Sequence, residues 1–470
     1  MTTIESSKKE NRSYLIIERE QNKPMINLPP KKVMASKLAA AAAAAAMTNT
    51  TTTTSTRVVN RNDTSTTQLG SSSVKRRLSE SNESSTREKK VAKSPMMKPS
   101  KSITHSERIV QSEINQYRPY FEDTEIDKAR LQVVLEYPGL VEPESTGREE
   151  EEEDKDEYNP ITDLIQTCEF IYDCYLTEQD KSLFGDQSHG IMRNLTKYRN
   201  RRSGSGFGQA VKEFNSVMKR LKEDGTLSKN AKEMRHPNYD LACHILFQVY
   251  SRTVARQAEA LNNYQAFSNN VYGEINPSLV KEFIVKTNIN SNSVFMDLGC
   301  GIGNVVLQVA AQTGCEAYGI EIMETPCKFA KRQLKEYAAR MKAWRLPTGK
   351  IHFRHGDFLD VAANDLYSTL KRSDVLLVNN YAFDAATNQA LAQLFLDLKE
   401  GTKIISLKSF VPKNHKINQR SINLPESILR VESFEYYSEA VSWTNNGGHY
   451  YIATVDRSRL EPFYEKMYRH

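Results

Sequence analysis

Cysteine, tryptophan and long hydrophobic runs are all in short supply in this chain. Six cysteines (Cys168, Cys174, Cys243, Cys300, Cys315 and Cys327) and two tryptophans occur in 470 residues. No two cysteines have C-x-x-C spacing, and no Cys/His cluster is spaced like zinc ligands, so a zinc or dithiol function is excluded. Reduced, mostly buried thiols of an intracellular protein are expected instead. The longest small-residue apolar run, Ala39 to Ala46, is far short of the ~20 residues that cross a bilayer. The N-terminus also lacks the apolar core and cleavage site of a secretory leader, so a soluble protein that does not enter membranes is expected. Aromatic residues are sparse over roughly the first 150 positions, which leaves less sequence for folding than the length suggests.

What is present is segregated charge. The net charge of +6 hides two blocks of opposite sign. Residues 1–115 are low in complexity: the alanine run, then Thr50 to Thr54, then Lys75-Arg76-Arg77 and Arg87-Glu88-Lys89-Lys90, with Lys93, Lys98 and Lys101 behind. Such sequence buries too little apolar surface to offset ordering entropy, so a disordered basic tail is expected. Two basic clusters across a Ser-rich spacer have the form of a bipartite nuclear localisation signal. Mobile cations also suit salt-sensitive contact with DNA phosphates. The sign then reverses in Glu149 to Glu153, Asp154, Asp156 and Glu157. Like charges repel and extend the backbone, so residues 116–157 are expected to be a linker, with folded sequence starting at Tyr158.

Residues 158–270 carry apolar side chains at helical spacing, as in Ile161, Leu164, Ile165, Cys168 and Ile171, and again in Leu241, Ile245, Leu246 and Val249. A helical region is expected, with one long helix over 238–266. The basic stretches 193–202 and 212–222 are a second candidate for nucleic-acid contact. From 271 to 470, strand-like and helical runs alternate and then give way to two strand-like runs, 429–436 and 450–455. That order predicts an α/β fold, a mostly parallel, doubly wound seven-strand sheet finished by an antiparallel hairpin.

Its opening unit is Ser293 to Asn304, S-V-F-M-D-L-G-C-G-I-G-N. An apolar strand ends at Asp297, glycines follow at Gly299, Gly301 and Gly303, and a helical pattern begins. Glycines at a strand-to-helix turn let backbone approach a nucleotide-like ligand. Asn304 replaces the last glycine of a dinucleotide fingerprint, and no Lys-Ser or Lys-Thr follows, which excludes a P-loop. A carboxylate at the loop repels pyrophosphate and suits a cationic ligand, and S-adenosyl-L-methionine is a sulfonium with an α-amino group and no phosphate. Glu321, about 20 residues on, stands where an acid takes ribose hydroxyls.

In such sheets ligands sit outside the carboxyl ends of the strands. Asp297, Glu321, Asp357 and Asn379 all fall at or just past predicted strand ends. Asp357-Phe358 offers an acceptor and a stacking ring for an adenine. Val378 to Phe383, V-N-N-Y-A-F, lacks the prolines of the N-P-P-Y motif used on adenine or glutamine amides. Trp443, Tyr450 and Tyr451 cluster in a hairpin-like segment, where a pocket and ordinary core packing are the two readings.

The ordered set Y-G-E, M-D-L-G-C-G-I-G-N, G-I-E, G-D-F, V-N-N-Y-A-F, I-S-L-K-S-F and V-S-W-T-x(4)-H-Y-Y resembles the non-SET histone lysine methyltransferases, the family named for disruption of telomeric silencing. The resemblance spans roughly 158–457, and the basic tail ahead of it is similar to fungal members. It implies a class I methyltransferase core and transfer of one to three methyl groups to the core lysine at position seventy-nine of nucleosomal histone H3. A nuclear, chromatin-regulating role in telomeric silencing and DNA-damage response is likewise implied. By position, the resemblance assigns donor contacts to Tyr272, Gly273, Glu274 and Ile275, and to Phe295, Met296, Asp297, Leu298, Gly299, Cys300, Gly301, Ile302, Gly303 and Asn304. Glu321, Asp357 and Phe358 complete that set. Asn379 and Tyr450 are assigned to catalysis, and Tyr381, Phe383 and Trp443 to a lysine channel. Tyr381 departs from the family's usual Phe. The implied partners are the nucleosome, its DNA through the basic tail, and ubiquitin on a neighbouring histone as a stimulator, with the enzyme a monomer. Two other classes remain: a methyltransferase for RNA or another protein, which shares the donor residues, and a nuclear scaffold with an inactive core.

Overall fold

The computed structural model describes residues 103–112, 117–121, 132–139, 142–148, 150–152, 158–186, 188–262, 272–360 and 366–468. The basic clusters between Lys75 and Lys101, like the alanine and threonine runs, lie outside these residues.

Seven strands form the central sheet: β1 (Val294–Leu298), β2 (Glu316–Glu321), β3 (Ile351–His355), β4 (Val375–Val378), β5 (Lys403–Ser406), β6 (Leu429–Tyr436) and β7 (Gly448–Val455). Their spatial order is β6-β7-β5-β4-β1-β2-β3. β1 lies parallel between β2 and β4, while β7 is antiparallel to both β5 and β6. This is the class I methyltransferase arrangement that the alternation of elements predicts. The strand order reverses beside β1, which opens a crevice there at the carboxyl ends of the strands.

Helices cover both faces of the sheet. Ahead of the sheet come α1 (Pro160–Tyr175), α2 (Ile191–Asn200), α3 (Gly204–Glu223), α4 (Thr226–Glu233) and α5 (Tyr239–Thr253). Within the sheet region are α6 (Pro277–Thr287), α7 (Asn304–Thr313), α8 (Glu324–Ala343), α9 (Leu366–Arg372) and α10 (Ala385–Leu394), and α11 (Glu461–Tyr468) follows β7. The two-residue period of β1 divides its side chains. Phe295 joins α6 and α7 in one core, whereas Val294, Met296 and Leu298 join α9 and α10 in the other. Such a strand, buried on both faces, reads as a continuous apolar run. α6 starts at Pro277, whose fixed φ suits a first helical position. The expected long helix over 238–266 ends at Thr253, where a 3-10 stretch, Ala255–Asn262, takes over.

The expected boundary at Tyr158 is corrected by the structure, as is the tail limit at residue 115. Ile103, Val133, Leu135 and Tyr137 are buried in the same core as α1, α3 and α5. The physical reason is charge. Arg252 of α5 and Arg340 of α8 are both buried and need carboxylates. Glu144 accepts from Arg252 Nη2 at 2.9 Å and from Arg340 Nη1 and Nη2 at 2.7 and 2.9 Å. Asp163 accepts from Arg252 Nη2 at 2.7 Å, and Glu336 from Arg340 Nε at 2.9 Å. The carbonyl of Thr104 accepts a further bond from Arg340 Nη2 at 2.7 Å. The upstream segment is therefore an integral layer of the fold. Part of the acidic run is ordered too: Glu150–Glu152 pairs antiparallel with Tyr117–Pro119.

Burial alone would raise the Glu144 carboxyl, but the two guanidiniums hold it well below the usual range. Its contribution to stability is thus present above about pH 4.3 and is lost as pH falls further. Removing one member of a buried ion network leaves the others uncompensated, which costs about 3–5 kcal/mol. Glu144→Ala is expected to lower the unfolding free energy by that amount in chemical denaturation at pH 7. A loss under about 1 kcal/mol would mean that the arginines find other partners.

Candidate active site

The crevice is built on the turn between β1 and α7. Gly299, Gly301 and Gly303 all have positive φ, and Gly303 caps α7 in the left-handed region at φ 85°. A side chain at Gly303 would be strained and would also strike the Phe353 ring of β3, 2.4 Å from an added Cβ. Gly299 and Cys300 donate their N–H groups to the Ile320 carbonyl at 2.9 and 3.0 Å, which ties the loop to the end of β2. A Cβ at Gly299 would meet only Phe358, at 4.0 Å, so space lies open above that residue.

Two acids face this loop. Glu321 accepts from Gly301 N at 2.8 Å and from Met323 N at 2.7 Å, which fixes its carboxylate against the turn. Asp297 is only 4% exposed. Among the described residues no cation or hydrogen-bond donor is paired with its carboxylate. Burial first, and the nearby Glu321 charge second, push Asp297 up to about 8. Burial also raises Glu321 and Glu274. The arrangement is a receptor for positive charge, because a cation in the crevice restores the ionised form that burial disfavours.

The segment from Tyr272 closes the crevice from the side. Ser442 Oγ accepts from Glu274 N at 2.8 Å, and Ser442 N donates to the Glu274 carbonyl at 2.9 Å. Glu274 in turn accepts from the Tyr272 hydroxyl and from Asn304 Nδ2, the latter at 3.3 Å. Gly273 has no room for a side chain, since an added Cβ would lie 2.7 Å from the Trp443 indole. Tyr272, Ile302 and Phe329 form a small buried cluster behind the loop.

Past β4, Asn379 is half-buried, and among the described residues its amide has no partner. Its neighbour Asn380, fully buried, bears the structural load. Asn380 Oδ1 accepts from Leu407 N and Lys408 N at 3.0 and 2.8 Å, and its Nδ2 donates to the Lys408 carbonyl at 3.0 Å. Those bonds clamp the V-N-N-Y segment to the end of β5. Tyr381, 48% exposed, lies 5.3 Å from Trp443 between ring centroids, with Lys408 Nζ 5.7 Å from its face. The Trp443 Nε1–H is buried and, among the described residues, has no partner.

Several expectations are revised. Phe295, Met296 and Leu298 are core residues of β1, so their side chains are committed to packing rather than to a ligand. Phe383 stands 5.8 Å from Phe358, on the side expected for adenine, and not with Tyr381 and Trp443. Tyr450 is fully buried between Phe283 and Phe434, and its hydroxyl donates to Glu282 at 2.7 Å. A buried, bonded hydroxyl gives the hairpin a fixed seat and leaves proton transfer to other groups. Cys300 is a buried thiol, raised by burial, which suits a packed side chain rather than a nucleophile. Sequence reading missed Asn380, Ser442 and Gln333. The first stands beside Asn379 in the same motif. Gln333, which donates to the Ile302 carbonyl and to Asn304 Oδ1 at 2.8 Å each, lies mid-helix in α8 with no local signal.

The raised acids give a definite pH dependence. The folded protein holds the Asp297 proton up to about pH 8, whereas an unfolded chain releases it near pH 3.9. Between those values the folded state binds more protons, so its stability falls as pH rises. Glu321 and Glu274 act with the same sign. Chemical denaturation of the ligand-free protein is expected to give lower stability at pH 8 than at pH 5, with a shallower decline in Asp297→Asn. Equal declines in both proteins would remove Asp297 from the account.

The family model described as "Histone methylation protein DOT1" matches residues 250–455. A relative from Emericella nidulans is 38% identical over 366 residues, covering 78% of this chain and 72% of the relative. One from Aspergillus fumigatus is 40% identical over 314 residues, covering 67% and 62%. Both are named "Histone-lysine N-methyltransferase, H3 lysine-79 specific". A solved RNA methyltransferase from Salinibacter ruber, in complex with S-adenosyl-L-homocysteine, aligns at 19% identity and a TM-score of 0.26, over 39% of this chain and 94% of its own. On the extent of the shared sequence with its fungal relatives, the chain belongs to the DOT1 family of histone methylation proteins.

Proposed function

We propose that the protein transfers methyl groups from S-adenosyl-L-methionine to the H3 lysine-79 side chain of nucleosomes, and that it acts in the nucleus. The observation that carries this reading is Asp297, a buried carboxylate without a cation of its own, set beside an open glycine loop. That donor set fits a cationic, phosphate-free ligand. The relatives' printed specificity, H3 lysine-79, supplies the acceptor.

Bound there, S-adenosyl-L-methionine supplies a methyl group activated by a sulfonium. The rest falls to the chain. Asp297 holds positive charge, and Glu321 is placed for ribose hydroxyls. Asp357 and Phe358 stand where an adenine is gripped, with Phe383 behind the Phe358 ring. The acceptor lysine has a free pKa of about 10.4, so its neutral form costs about 4–5 kcal/mol near neutral pH. Tyr381 and Trp443 present aromatic surface at the approach, and an acceptor lysine seated against it loses water, which disfavours its ammonium form. The Lys408 ammonium, over the Tyr381 face, opposes a second cation in the same way. The free Asn379 amide is placed to orient the incoming amine, which holds nucleophile and methyl in line. Proton loss from the amine is to solvent, and no residue in this account serves as the base.

Nucleosomes, free histones and RNA incubated in parallel with labelled donor test the reading. Label is expected in nucleosomal H3, with mass mapping placing it on lysine-79. Label in RNA alone would favour the rival substrate class, and calorimetry without donor binding would favour an inactive scaffold. Asn379→Ala is expected to lower turnover on nucleosomes about a hundredfold with donor affinity nearly unchanged. Wild-type turnover would refute its role.

A further inference from the structure

We infer that helix α2, with the turn leading into α3, is a docking surface for the phosphate backbone of duplex DNA. This rests on the nucleosomal reading above and adds a contact site within the folded body, separate from the basic tail. The 22 residues from Ile191 to Lys212 contain six cations and no acid. Three of the cations, Arg193, Lys197 and Arg201, recur every fourth residue. The helical backbone continues through Arg201, whose φ and ψ are −85° and 0°. They therefore share one face of the helix, in a stripe about 12 Å long. Ile191 and Leu195 are buried on the other side.

The stripe is uncompensated. Arg193 and Arg201 are exposed, and Lys197 is half-buried over the Tyr198 ring at 5.0 Å. Among the described residues none of the three pairs with a carboxylate. Cations elsewhere on these helices are used: Lys219 and Lys222 reach Glu136 at 3.7 and 2.6 Å, and the Arg199 charge offsets part of the rise that burial and Asp173 impose on the Glu169 carboxyl. Like charges four residues apart destabilise a helix, so a row of three without an acid between them is a cost that an external anion removes. Each strand of a DNA duplex carries a phosphate every 3.4 Å of axis, so a 12 Å row faces about three or four of them. Single-stranded RNA is gripped through stacking rings. The one aromatic residue on this helix, Tyr198, is already laid against Gly206, 2.3 Å from an added Cβ. The geometry favours a regular double-stranded polyanion.

The test is a full-length triple variant, Arg193→Gln, Lys197→Gln and Arg201→Gln, with substitutions that keep helix propensity nearly constant. Affinity is measured against salt concentration for nucleosomes and for a naked duplex. The slope of log affinity against log salt is expected to become shallower by about 2.7, at about 0.9 per lost phosphate contact, with affinity at low salt falling about tenfold or more. Donor affinity is expected to stay at the wild-type value, and the thermal midpoint at or slightly above it, because the like-charge repulsion along the helix is removed. Arg193→Lys with Arg201→Lys, which keeps the charge, is expected to retain the wild-type slope. An unchanged slope in the triple variant overturns the inference, as does a loss confined to single-stranded RNA. Because the naked duplex contains no histone, this outcome is independent of which lysine is methylated.

Discussion

A carboxylate buried at the end of a central strand, with no cation beside it among the described residues, is the constraint around which this molecule is arranged. Water normally stabilises such a charge, and here the sheet and its helices exclude it. Asp297 and Glu321 share one crevice, so the charge on Glu321 makes ionisation of Asp297 harder still. The free protein resolves the conflict with a proton, and a positively charged ligand resolves it by taking that proton's place. The same conflict explains why a pyrophosphate ligand does not suit this loop, although its glycines alone would allow one.

Holding that arrangement requires a stiff frame, and the frame extends far from the crevice. Gln333 on α8 grips both the Ile302 carbonyl and the Asn304 side chain, so the position of α8 fixes the glycine loop. Two turns further along α8, Arg340 is buried in the ion network with Glu144 and Glu336. Glu144 belongs to the segment ahead of α1, and Arg252 in the same network belongs to α5. A single connected set of charges thus joins the upstream layer to α5 and α8, and α8 carries the connection on to the glycine loop through Gln333. Such a network adds little net stability over apolar packing, but loss of any one member leaves a buried charge unpaired.

The parts legible from sequence were those with a local physical signature. Strand, glycine turn and helix announced the fold, and strand-end acids announced the crevice, because both depend on residues close together in the chain. The boundary of the folded body was not legible. Tyr137 and Glu144 sit between a low-complexity tail and an acidic run, and their partners Arg252 and Arg340 are more than 100 residues away. The aromatic residues were found but sorted imperfectly. Phe383 and Tyr450 lie in the expected motifs, yet the pleat of the strands and the turn after β4 decide which side each ring faces, and spacing does not encode that. Asn379 and Asn380 divide a single motif into one free amide and one structural clamp, a division that only the β5 end reveals.

Direct titration of the Asp297 side-chain carboxyl by carbon-13 NMR tests the central claim most directly. In the ligand-free protein its midpoint is expected near 8. With saturating S-adenosyl-L-methionine it should drop into or below the ordinary carboxylate range, about 3.9. A midpoint near 4 in the free protein, or one that does not move when the donor is added, would contradict the account.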